Sequence, residues 1–321
     1  MQPSILVHGS LAFDLFYYYP ASIREHLLSS AETLYLNIRA TGPEKKFGGC
    51  AGNAARTIGL FRLPAAVSSW AGSDAGPYLA DLRSCGVDTS QVYIDPEHAT
   101  PAAVLLRDKG ENQWIIFGEP DTPVAWDLPV LQQTELAVVT SGMTERIPGL
   151  INRLIDSNIP YIIDPGKMIS DIPPADLVFC IGHAEYCILN SYEVELLRKT
   201  AGLSIHDICS RVQAVVVTKG RDGCDVFIRR TLPEGGLSRT SVPAVPDVTA
   251  ADPYGAGDAF LGGFSAAVFR GAAAAGAARA GTVAASFAVE NRGTQSYRFT
   301  AAGLLARYQS CFGEPAVPLF G

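Results

Sequence analysis

The residues best suited to chemistry lie at Asp252-Pro253-Tyr254-Gly255-Ala256-Gly257-Asp258, just ahead of an apolar run at residues 259–269. Gly255 and Gly257 permit a tight turn into a helix, which points bare backbone N–H groups outward at the helix start. The helix dipole adds to those donors, so the turn becomes a binding place for an anion. Phosphoryl transfer needs such a cradle for the charge on the moving group. Asp258 follows the turn by one residue, close enough to accept the proton of an attacking hydroxyl. The segment also fits an Asp-capped helix start with glycines for tight packing, and local sequence alone leaves both readings open.

A turn of this kind needs a fold that presents it. Short β-branched runs recur at residues 5–10 (ILVHGS), 65–70 (AAVSSW), 136–140 (LAVVT), 160–164 (PYIID), 177–181 (LVFCI) and 214–218 (AVVVT), with helical segments between them. The alternation predicts an α/β fold: a doubly wound, mostly parallel sheet covered by helices on both faces. The runs lack period-2 alternation, as strands buried on both faces do. Ligands of such sheets sit beyond the carboxyl ends of the strands. Residues 15–47 and 100–118 break the series, and the stretches LYLNIRA and AAVLLRDKGENQWIIF read as strands, the latter turning at residues 108–112. They form either a small β lid over the site or an edge hairpin completing the main sheet. No repeat and no low-complexity linker interrupts the chain, so residues 1–321 read as one domain.

The turn at residues 252–258 resembles the D-x-x-G-A-G-D signature of the PfkB (ribokinase-like) carbohydrate kinases, and it does not stand alone. Phe47-Gly48-Gly49-Cys50-Ala51-Gly52-Asn53 is similar to the family's Gly-Gly turn beside the substrate. Asn190-Ser191-Tyr192-Glu193 is similar to its N-x-x-E element, and Thr218-Lys219-Gly220-Arg221-Asp222-Gly223 to its T-x-G-x-x-G nucleotide loop. Asp14 after the first strand and Gly293 near the last core helix fit the same order. The resemblance implies an ATP-dependent phosphotransferase acting on an alcohol group. Asp258 would be its general base, and Gly255, Ala256 and Gly257 its anion hole. It also implies that Asn190 and Glu193 hold Mg²⁺ through water, an ion that prefers oxygen ligands and keeps much of its hydration shell. Helix capping is the other reading of that pair. Thr218, Gly220, Gly223 and Asp252 would serve the nucleotide, and Asp14, Gly48, Gly49 and Asn53 the vicinal hydroxyls of the acceptor.

Three features bear on the acceptor. Cys50 stands where ribokinase-like sequences carry a lysine for a sugar hydroxyl, and a thiol cannot make that charged contact. Phe13, Phe16, Tyr17, Tyr18, Tyr19, Trp114 and Phe117 crowd the expected lid, and flat rings suit a purine, although many of them must simply be lid core. Gly9-Ser10-Leu11-Ala12-Phe13-Asp14, Asn112-Gln113 and Asp252-Pro253 resemble the bacterial adenosine (nucleoside) kinase-like members. The expected reaction is therefore phosphorylation of a ribonucleoside 5′-hydroxyl, adenosine first, in purine salvage. A sugar kinase acting on ribose, fructose or a keto-deoxy sugar acid is the alternative. A catalytically silent binding protein would be marked by loss of the base or the glycines, and both are present. A dinucleotide oxidoreductase needs a G-x-G-x-x-G turn after strand one, where the sequence reads HGSLAFD.

Composition narrows the partners. Of 321 residues, 48% are hydrophobic and 18% charged, enough apolar material for one large core. A net charge of −7 gives no basic face for a polynucleotide, so no nucleic acid is expected. The cysteines, at positions 50, 85, 180, 187, 209, 224 and 311, are scattered without a C-x-x-C pair and read as reduced thiols. The stretch MQPSILVHGS reads as a first strand, not a signal peptide. Arg270 and Arg279 interrupt the Ala- and Gly-rich residues 259–289, which read as two packed helices and not a membrane span. A cytoplasmic monomer or homodimer is expected.

Overall fold

The computed structural model describes residues 4–23, 28, 29, 34, 35, 37–109, 112–118, 127–166, 168–229 and 236–320. Among these, ten strands form the main sheet. From one edge its order is Leu237–Val242, Cys224–Arg229, Ala214–Thr218, Tyr186–Asn190, Tyr161–Ile163, Leu136–Val139, Ile5–His8, Ala65–Gly72 and Val87–Asp88, with Val92–Asp95 also on Ala65–Gly72. Seven neighbouring pairs run parallel, and only the strands Cys224–Arg229 and Leu237–Val242 are joined antiparallel. Ile5, Val7, Val138, Ile162 and Val216 face one apolar cluster, while Ala137, Val139, Ile163, Val215 and Val217 face another. Helices thus cover both faces, which is why the strand runs show no alternation.

One predicted strand is a helix. Residues 177–181 lie within the helix Pro174–Gly182, and the neighbouring sheet strand is Tyr186–Asn190. Pro174 starts that helix at a position where a missing N–H costs nothing, and Leu177, Cys180 and Ile181 recur at helical spacing on its buried side. A five-residue apolar run carries too little periodicity to separate the two structures.

Residues 259–289 do form two packed helices, Ala256–Phe269 and Ala274–Val289. A Cβ at Gly263 would come within 2.7 Å of the Ala284 Cβ, so the small residues serve close helix contact. Among the described residues no helix is long and apolar enough to cross a membrane.

The irregular segments build a second sheet, ordered Gln113–Gly118, Ala102–Asp108, Ala12–Tyr19 and Thr41–Gly48. It is separate from the main sheet, so the segments do not complete that sheet's edge. The turn after Ala102–Asp108 is closed by the Asp108 carboxylate, which accepts from the Asn112 backbone N–H at 3.0 Å. Residues 110 and 111 of that turn, and 24–27, 30–33 and 36 of the segment 15–47 expected as part of a lid, lie outside the described residues. Two of the seven aromatics considered for a purine, Phe13 and Phe16, are buried core here, while Phe117 is exposed. Phe13 packs beside Phe47 and Tyr78, whose rings stack at 4.7 Å, and Phe16 is buried against Tyr18 and Tyr254.

Candidate active site

A cleft of about 610 Å³ opens at the carboxyl ends of the main-sheet strands, bounded on one side by the second sheet. Its aromatic lining is Trp70, Phe117 and Tyr254. Of the residues singled out in the sequence, Asp14, Gly49, Asn53, Asn190, Glu193, Thr218, Gly255, Gly257 and Asp258 line it. Gly48, Ala256, Gly220, Gly223 and Asp252 do not.

Two helix starts supply the centre. Gly255 caps the helix Ala256–Phe269 at φ 82°, and a Cβ there would also strike the Thr294 side chain at 2.6 Å. Only glycine fits this position without strain. The first-turn N–H groups of Gly257 and Asp258 have no acceptor within the helix, which leaves donors at the cleft floor. Gly49 caps the facing helix Cys50–Leu60 at φ 85° in the same way. Four residues on, Asn53 Nδ2 donates to Asp258 Oδ2 at 2.7 Å. Burial pushes the Asp258 carboxyl up to about 6 and Glu193 adds to this, while hydrogen bonds from Asn53 and Cys50 hold it down. A carboxylate near this value is ionised at neutral pH yet basic enough to take a proton in a transition state.

Asp14 sits on the strand Ala12–Tyr19, 1% exposed, against the bare Cα of Gly48. A side chain on Gly48 would occupy the space of that carboxylate. Burial, then the charge of Asp258, raise Asp14 to about 7, partly offset by hydrogen bonds from the Thr294 and Tyr254 hydroxyls. Sequence reasoning placed Asn53 on the acceptor. In the structure both ends of its amide are engaged by the protein, Nδ2 by Asp258 and Oδ1 by Gln295 at 2.8 Å.

The donor side is looser. Asn190 and Glu193 form a capping box at the helix Ser191–Thr200: Glu193 N donates to Asn190 Oδ1 at 2.9 Å, and Asn190 N to Glu193 Oε2 at 2.7 Å. Asp164, just past the strand Tyr161–Ile163, also lines the cleft. Burial and then the Glu193 and Asp258 charges hold Asp164 well above the ordinary carboxylate range, and burial raises Glu193. Carboxylate oxygens raised by burial beside one another fit a hydrated divalent cation. Among the described residues no group of three acidic, His or Cys side chains is placed to hold a metal ion directly. Thr218 ends the strand Ala214–Thr218 with its hydroxyl on the Leu189 carbonyl at 3.3 Å. Lys219 pairs with Asp225 at 3.0 Å, and Gly220 and Gly223 bound a short 3₁₀ turn beside the cleft.

The structure places Asp252 behind the anion turn. Its oxygens accept from Arg107 Nη2 at 2.8 Å, Tyr254 N at 3.0 Å and Gly293 N at 3.0 Å, and it is 1% exposed. Sequence reasoning missed Asp164, Arg107, Thr294 and Gln295. A carboxylate directly after a parallel strand was a usable signal for Asp164. Nothing local marks the other three.

The sequence matches the pfkB family of carbohydrate kinases over residues 4–300. A nucleoside kinase of Methanocaldococcus jannaschii is 26% identical over 263 residues, 81% of this chain and 84% of that one. A ribokinase of Arabidopsis thaliana is 28% identical over 316 residues, 91% of this chain and 77% of that one. The Burkholderia thailandensis nucleoside kinase in complex with inosine superimposes with a TM-score of 0.84 at 27% identity, covering 97% of this chain and 99% of that one. Its ADP-inosine complex gives 0.80 at 28%, covering 99% and 98%. The glycine turns, the carboxylate at the helix start and the match along nearly the whole sequence lead to one assignment: the chain belongs to the pfkB family of carbohydrate kinases, as a phosphotransferase acting on a hydroxyl group.

Proposed function

We propose that the protein transfers the γ-phosphate of ATP to the 5′-hydroxyl of a purine ribonucleoside, adenosine first, with Asp258 as the general base. The observation that carries this reading is the Asp258 carboxylate, held by Asn53 at 2.7 Å one residue past the Gly255–Gly257 turn. Asp14 accepts from the ribose hydroxyls and fixes the sugar, so that the 5′-oxygen lies near Asp258. Asp258 takes the hydroxyl proton as the oxygen attacks the γ-phosphorus, and ADP departs. The amides of the turn hold the charge on the moving group. Asn190 and Glu193, with Asp164 beside them, would hold Mg²⁺ through water. That ion, when bound, supplies positive charge to the donor phosphates. The second sheet acts as a lid that keeps water from the phosphoryl group.

Support for a nucleoside comes from the relatives: the Burkholderia enzyme is described with inosine, and the archaeal one as a nucleoside kinase. Trp70 and Phe117 in the cleft lining give a base apolar surface. The Arabidopsis ribokinase keeps a sugar acceptor as the second reading. A panel of nucleosides and free sugars with MgATP tests the choice. ADP should form fastest with adenosine or inosine. 2′-Deoxyadenosine should be slower by roughly tenfold or more, since a buried carboxylate left without its partner loses about 1–3 kcal/mol. Faster turnover of ribose or fructose would replace the reading by a sugar kinase, and equal turnover of adenosine and its 2′-deoxy form would remove Asp14 from the 2′-hydroxyl.

A further inference from the structure

An amide next to the base can help or harm it. Asn53 supports the Asp258 carboxylate only if its NH₂ faces that group. Turned over, its carbonyl would face a like charge and favour the protonated acid. The two ends of an amide are alike in size, so packing does not decide between them; the hydrogen-bond network must.

The network runs back to a group that cannot turn. The Gly48 backbone carbonyl is an acceptor only, and the Tyr78 hydroxyl donates to it at 2.5 Å. With its proton committed there, Tyr78 Oη can only accept from its other neighbour, which calls for the NH₂ of Gln295, at 2.6 Å. Burial holds the Tyr78 phenol well above its ordinary value, so it keeps that proton. The same Gln295 Nε2 donates to Asn53 Oδ1 at 2.8 Å, which turns Asn53 Nδ2 to Asp258. Tyr78, Asn53 and Gln295 are 0%, 3% and 8% exposed, so bulk water does not substitute for a lost link. Gln295 Oε1 meanwhile is buried without a hydrogen-bond partner among the described residues. Its amide is oriented for its neighbours at the expense of its own acceptor.

We infer that Gln295 is a positioning residue for the phosphoryl transfer: through Asn53 it pins Asp258 Oδ2, so that the other oxygen takes the acceptor's proton. The inference rests on the proposal that Asp258 is the base. The groups facing Asp258 make the link matter. Asp14 comes from the second sheet, Cys50 from the facing helix, Asp164 and Glu193 from the donor side, and Tyr254 from the turn itself. Tyr78 and Tyr297 stand behind. Arg107, whose charge bears on Asp14 and Tyr254, is tied to Asp252. Burial and Glu193 raise Asp258, and Asn53 is the first of the hydrogen bonds that lower it.

Two near-isosteric variants test this. Gln295→Glu replaces the donor by an acceptor, so Asn53 must turn its NH₂ to residue 295 and its carbonyl to Asp258. Gln295→Met removes the link without adding charge. The readout is kcat against pH at saturating adenosine, where the acceptor covers Asp14. An ionised Asp258 is the active form, so a weakened Asn53 contact raises its pKa and moves the acid limb to higher pH. The Glu variant should lose roughly 100-fold in plateau kcat with the limb about one pH unit higher, and the Met variant roughly tenfold with a smaller shift. The adenosine KM of both should stay within about threefold. The limb position is independent of the folded fraction, so a poorly folding variant still reports. An unshifted limb in the Met variant overturns the inference. Asp258→Asn measured alongside separates the two claims: if it is inactive while both Gln295 variants keep the wild-type profile, only the positioning role falls; if it keeps more than a tenth of wild-type kcat, the base assignment falls.

Discussion

The two sides of the cleft are built in opposite ways. On the acceptor side, Asp14 and Asn53 are 1% and 3% exposed, and Asp14, Asn53 and Asp258 are held by partners from distant segments. On the donor side, Asn190 is exposed, and its hydrogen bonds with Glu193 are those of any well-capped helix. On the function proposed above, Asp14 and Asp258, raised to about 7 and about 6, stand where hydroxyl recognition and proton transfer need fixed geometry, whereas Asp164, also raised by burial, stands with Glu193 where a bound cation would offset that cost. On the same proposal a hydrated ion and a polyphosphate would bring their own charge and water, so the donor side would need oxygen atoms more than rigidity. Substitutions on the acceptor side should therefore strike the chemical step itself, and those on the donor side should be recoverable by raising ligand concentration.

The largest effect belongs to Asp258→Asn. Loss of the base should lower kcat by roughly 10²- to 10⁴-fold with ATP binding nearly intact, read by steady-state ADP release and nucleotide titration. Next is Asp14→Asn, which keeps the volume but not the acceptor-only character. Its kcat/KM for adenosine should fall about 100-fold, and its preference for adenosine over 2′-deoxyadenosine should shrink. An unchanged preference would place the diol elsewhere. The smallest is Glu193→Gln. Activity at low Mg²⁺ should drop about tenfold and return largely at high Mg²⁺. A loss that Mg²⁺ does not restore would make the donor side as preset as the acceptor side and erase the contrast.

The same contrast governs what could be read from sequence. Motifs that shape backbone were legible: the turn at Gly255 and Gly257, the Gly48-Gly49 turn and the capping pair Asn190 and Glu193 all stand where their local chemistry puts them. The strand runs gave the main sheet because buried parallel strands need continuous apolar stretches. Residues 177–181 misled, because a short apolar run fits a helix equally well. Which of the second-sheet aromatics are core was not legible: Phe13 and Phe16 are buried, because a two-faced sheet buries part of its rings and sequence does not say which part. Partnerships were illegible. Asn53 meets Asp258 across 205 residues, Gln295 meets Asn53 across 242, and Arg107 meets Asp252 across 145. A lone Gln after a loop glycine carries no local mark of such contacts.

The central claim is that a nucleoside hydroxyl, activated by Asp258, receives the γ-phosphoryl group. Phosphorus NMR of the products formed from MgATP and adenosine addresses it most directly. The account predicts one ADP per phosphate monoester, with the ester phosphorus coupled to the two protons of the ribose 5′-carbon, and both products formed roughly 10²- to 10⁴-fold more slowly by the Asp258→Asn protein. ADP accompanied by inorganic phosphate alone, or an ester formed only when a free sugar replaces the nucleoside, would contradict it.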